Sequence, residues 1–87
     1  METVLKSLLK KLDIEFKTYS LVNNHGLEYD TDKYSIDIRH WLNAYGASVD
    51  HWDMEVFDKV TREHVAHHSL PYEMKQTELI ALIKKYV

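Results

Sequence analysis

The stretches KYSIDIRHWLNAY (residues 33–45) and VDHWDMEVFDKVTREHVAHH (residues 49–68) decide how this chain is read. Between them lies Gly46-Ala47-Ser48. From Asp32 to His68 the chain holds both tryptophans, five of its six histidines and seven of its acids. In the first stretch Tyr34, Ile36 and Ile38 alternate with Ser35, Asp37 and Arg39, as in a half-buried strand. Tyr34, Ile38, Trp41, Leu42 and Tyr45 also fall within about a 100° arc of a helical wheel. The helix accounts for five large residues and the strand for three. The spacing therefore predicts a helix over roughly 33–45, capped by Asp32 and ended by Gly46. In the second stretch Val49, Trp52, Val56 with Phe57, and Val60 form a buried helical stripe. Ser48 or Asp50 caps it, and early acids suit the positive end of the helix dipole. This helix is expected to run to about His67, before Ser69-Leu70-Pro71 breaks it.

Working outward, residues 2–12 place Val4, Leu5, Leu8, Leu9 and Leu12 on one helical face, with lysines largely opposite. Ile14–Asp30 reads as a β-hairpin that reverses at Asn23-Asn24-His25-Gly26. Met74, Leu79, Ile80, Leu82, Ile83 and Tyr86 give a C-terminal helix a broad apolar face, starting at Pro71 or Thr77. The expected fold is α+β and mainly helical: an N-terminal helix, a β-hairpin, then three helices in one small domain spanning residues 1–87.

Eighty-seven residues with 45% apolar and 29% charged side chains fit a single globular unit. No cysteine is present, so disulfides, thiolate zinc sites and thiol nucleophiles are excluded. No apolar run reaches the ~20 residues of a membrane span, and the lysine-broken N-terminus lacks a signal peptide's apolar block. A soluble, cytoplasmic protein is the expectation.

Net charge is −3, unevenly spread. Leu27–Asp58 carries eight acids against Lys33 and Arg39 alone, whereas both flanks are basic. Acids and interleaved aromatics suit contact with a basic protein partner. The residues expected to carry it are Glu28, Asp30, Tyr34, Asp37, Trp41, Asp50, Asp53 and Asp58. Excess Tyr and Trp leave room for a homodimer. Such a protein would be a non-catalytic protein-interaction or inhibitory module, of the kind phages and mobile elements encode.

Other chemistries are weaker. His64, His67 and His68 could share a metal if helical, His64 and His68 lying at i and i+4. Asp30-Thr31-Asp32 begins like a calcium loop, but Ser35 and Trp41 stand where glycine and glutamate belong. No nucleophile elbow, phosphate loop or cofactor fingerprint is present, so neither catalysis nor a cofactor is expected. A helix-turn-helix around Gly46 would offer Asp50, Asp53, Glu55 and Asp58 to DNA phosphates, which repel them. Nucleic-acid binding would instead require the lysines of the terminal helices.

Overall fold

The computed structural model describes residues 2–71 and 73–87. Helix α1 (Glu2–Lys11) leads into strands β1 (Phe16–Ser20), β2 (Asn24–Asp30), β3 (Tyr34–Leu42), β4 (Ser48–Asp58) and β5 (His64–Pro71). Helix α2 (Gln76–Lys85) closes the chain. The strands form one antiparallel sheet in the order β1-β2-β3-β4-β5, each beside its sequence neighbours.

The mainly helical expectation is thereby corrected. The helix expected over 33–45 is β3 and its following loop, and the helix expected over 50–67 is β4, a turn and most of β5. The reason is period-2 burial. In β3, Ile36, Ile38 and His40 are buried, and in β4 so are Trp52, Met54 and Val56. The register places these residues opposite one another, Ile36 with Val56, Ile38 with Met54 and His40 with Trp52. Leu27 and Tyr29 of β2 and Leu70 of β5 extend the same layer. A helix would have spread these side chains around its circumference; a sheet sends all of them to one face.

The two terminal helices cover that face. Leu5, Leu8 and Leu9 of α1 and Leu79 and Ile83 of α2, with Tyr86 beyond it, join the sheet residues in one core. Both helices match the amphipathic patterns of the sequence. No helix of the described residues is long and apolar enough to cross a membrane. Helix α1 ends in a Schellman arrangement, with Ile14 N donating to Leu9 O and Asp13 N to Lys10 O. Asp13 takes the left-handed position there (φ 59°), a role more often given to glycine. The hairpin expected over Ile14–Asp30 is present as β1 and β2, but it reverses earlier. Residues 21–23 make the turn, and Gly26 lies mid-strand opposite Tyr19 and Arg39.

Two irregularities set the phase of the strands. Between His40 and Leu42 the β3–β4 register slips: Trp41 alone on β3 faces residues 49–51 of β4, so the two extra residues are on β4. Between β4 and β5, Val56 pairs with Ala66 but Phe57 pairs with His64, leaving Val65 as the extra residue. This second bulge lets His64 and His67 share a face despite their odd spacing.

A Cβ added at Gly26 would overlap the carbonyl oxygen of Ile38 on the neighbouring strand. Gly26→Ala should therefore lower stability by about 1–3 kcal/mol in urea unfolding. Tyr29 behaves oppositely, because its buried hydroxyl finds no hydrogen-bond partner among the described residues. Tyr29→Phe should raise stability by roughly 1–2 kcal/mol at neutral pH by removing an unsatisfied polar group. Burial also holds the Tyr29 phenol well above its ordinary pKa of 10.0. The unfolded chain thus releases this proton first, so stability is complete below pH 10 and falls as pH rises beyond it. Tyr29→Phe should flatten that alkaline decline in melts recorded from pH 8 upward.

Candidate functional site: the open face of the sheet

The side chains that alternate away from the helices form an uncovered face. Across it run Lys17 and Tyr19 (β1), Glu28 and Asp30 (β2), Ser35, Asp37, Arg39 and Trp41 (β3), His51, Asp53, Glu55 and Phe57 (β4), and His64 and His67 (β5). The acids here outnumber the cations: Lys17 and Arg39 are the only lysine or arginine among these strand positions.

A linked set of polar contacts crosses this face from β1 to β5. Tyr19 Oη donates to Asp37 Oδ1 at 2.6 Å, and Arg39 Nη2 donates to Asp37 Oδ2 at 2.8 Å. Arg39 Nε closes the ring by donating to Tyr19 Oη at 3.2 Å. Tyr19 and Arg39 sit two strands apart, about 10 Å between backbones, and meet because the intervening residue is Gly26. Burial, and then the hydrogen bond to Asp37, raises the Tyr19 phenol above its usual pKa. The Arg39 guanidinium also lies over the Trp41 ring, 5.3 Å from its centroid.

Trp41 Nε1 donates to Asp53 Oδ2 at 2.8 Å, joining the end of β3 to β4. Asp53 Oδ1 meets His67 Nε2 at 3.0 Å and lies 3.9 Å from His51 Nε2. Glu55 faces His64 through Oε2 and stands 3.8 Å from His67 Nε2 through Oε1. Phe57 packs against His64 with ring centroids 5.4 Å apart. On the β1 side a shallow trough of about 1230 Å3 is lined by Lys17, Glu28, Asp30, Asp37, Arg39 and Phe57, among others.

The expected contact residues divide. Glu28, Asp30, Asp37, Trp41 and Asp53 gather on this face. Tyr34 does not: it is half-buried on the helix side, its ring edge-on to Tyr86 at 5.3 Å. Asp58 is the last residue of β4, opposite Tyr34, and its carboxylate turns to the following loop, accepting from Val60 N and Thr61 N, both at 2.8 Å. Those bonds, Thr61 first, hold its carboxyl below the ordinary range. The side chain of Asp50 lies outside the described residues.

The histidine group divides too. His64 and His67 are on the open face, whereas Nε2 of His68 bonds the Tyr86 hydroxyl at 2.7 Å among the residues packed on the core. The i, i+4 geometry expected of a helix is absent from β5. Among the described residues, no three His, Asp or Glu side chains form a group able to hold a metal ion. Sequence reasoning missed Tyr19, Arg39, Glu55 and Phe57 as members of the face. Strict alternation in His51-Trp52-Asp53-Met54-Glu55-Val56-Phe57 was the signal that would have found the last two.

If the Tyr19–Asp37–Arg39 ring acts as a unit, its members are coupled. A double-mutant cycle of Tyr19→Phe and Asp37→Asn should give an interaction energy of about 0.5–1 kcal/mol in urea unfolding. Additive losses would mean that the ring contributes nothing beyond its separate bonds.

No protein-family model matches the chain, and neither does any curated protein or solved structure.

Proposed function

We propose that this protein is a non-catalytic interaction module whose open sheet face binds a basic protein partner. One observation carries the reading: five carboxylates and the rings of Tyr19, Trp41 and Phe57 share a face that neither helix covers. A solvated sheet face needs polar side chains, but it does not need large aromatic ones. Rings among acids are the residue types that interfaces use as anchors with a charged rim. Asp37 is already neutralised by Arg39. Glu28, Asp30, Asp53 and Glu55 are the acids left to meet lysine or arginine on the partner. The same acids disfavour contact of this face with a phosphate backbone.

The histidine–carboxylate pairs resemble acid–base machinery only superficially. His64 and His67 are exposed to water on an edge strand, whereas proton transfer is strengthened where walls exclude water. Contact with another macromolecule is the function better suited to them.

The test compares three immobilised baits in host-cell extract: the natural protein, Glu28→Lys/Glu55→Lys, and the charge-matched control Glu63→Lys/Glu78→Lys. The natural protein and the control should retain the same basic protein, releasable by salt. The open-face variant should bind it at least about tenfold more weakly, because like charges then face each other. Equal retention by all three baits, with melts showing each one folded, would refute the reading.

A further inference from the structure

One end of the sheet is built differently from the other. The turn at residues 21–23 and the loop at 43–47 emerge side by side there, tied by a 2.9 Å bond from Leu42 N to Asn23 O. Residues 20–27 and 40–49 contain no lysine, arginine, aspartate or glutamate, although such residues make up 29% of the chain. The opposite end, at 30–33 and 58–63, carries seven of them, among them Asp30, Asp32 and Glu63. On these two uncharged segments Val22 is 100% exposed, Tyr45 96% and Leu21 57%.

The loop presenting Tyr45 is firmly built. Asn43 Oδ1 accepts from Tyr45 N at 2.8 Å and Ala47 N at 3.1 Å. Asn43 N donates to Ala47 O at 2.9 Å, Gly46 N donates to Asn43 O at 3.0 Å, and Gly46 supplies the left-handed turn (φ 82°). Four internal bonds therefore hold a ring out into solvent. In the adjacent turn stand Leu21 and Val22, where polar residues are more usual. Val22 and Tyr45 bury almost nothing on folding, and Leu21 leaves more than half of its surface to water.

We propose that Tyr45, flanked by Leu21 and Val22, is an apolar anchor that enters a hydrophobic pocket on a protein partner. The inference rests on the interaction reading above and adds the anchor to it. Trp41, on the open face beside Asn24, joins this tip to the acidic surface. The occupant is then a protein carrying an apolar pocket bordered by lysine or arginine. A bilayer fits less well, because the neighbouring carboxylates are repelled by anionic headgroups. The ordered loop spares the partner the cost of immobilising the tyrosine.

Because the Tyr45 ring is almost fully exposed, Tyr45→Ser should leave the melting temperature unchanged. With the basic protein retained by the natural bait as ligand, calorimetry should show Tyr45→Ser binding about 30-fold more weakly, or worse, the threshold of a hot spot. Tyr45→Phe should stay within a few-fold of the natural protein. Natural affinity in Tyr45→Ser, with binding lost in Glu28→Lys/Glu55→Lys, overturns the anchor and leaves the charge reading standing. Retention of no basic protein, or natural affinity in both variants, overturns both. Co-sedimentation with phosphatidylcholine vesicles that Tyr45→Ser abolishes would assign the tip to lipid and overturn the protein partner.

Discussion

Antiparallel pairing sends successive side chains to opposite faces, and the described residues include only two short helices to cover what results. One face can be sealed and the other cannot. The apolar residues of β2, β3, β4 and β5 must therefore fall in phase with one another, beneath Leu5, Leu9, Leu79 and Ile83. The register achieves this across four strands, and a one-residue slip would invert it. The uncovered face is the complement of that constraint. Its acids, histidines and rings stand together because the core claimed every alternate position.

The two bulges adjust this arrangement locally. Opposite Trp41 the two extra residues belong to β4, and they lie just before Asp53, which accepts the tryptophan's hydrogen bond. At Val65 the extra residue brings His64 level with Phe57 and Glu55. Without it, unbroken alternation would have turned His64 toward the helices, as it does His68. Local breaks in the ladder thus choose which side chains reach the polar surface.

The two terminal helices and the first hairpin were legible because their patterns had no rival. The middle was not. Tyr34, Ile38, Trp41, Leu42 and Tyr45 agree on a helical wheel, yet they end on the covered face, on the open face, at a strand end and in a loop. Histidine concealed the competing period. His40 counts as polar in sequence, but it is buried and stacked on Trp52 at 4.5 Å, with Nε2 bonded to Val49 O. His68 likewise packs toward Tyr86. Scored as apolar, both restore the alternation through β3 and β5. The acidic surface was readable in outline because charge density does not depend on secondary structure. Its membership was not, since Tyr34 and Asp58 changed sides with the fold.

The linear strand order also bears on how the chain reaches its native state. Each strand neighbours its predecessor, so pairing can proceed hairpin by hairpin with only short loops to close. The core, however, draws on residues from Leu5 to Tyr86. A nascent chain on the ribosome would complete its strands before α2 has emerged, leaving a greasy sheet surface half roofed. Leu79, Ile83 and Tyr86 act as the latch, and a sheet without them would present apolar surface open to self-association.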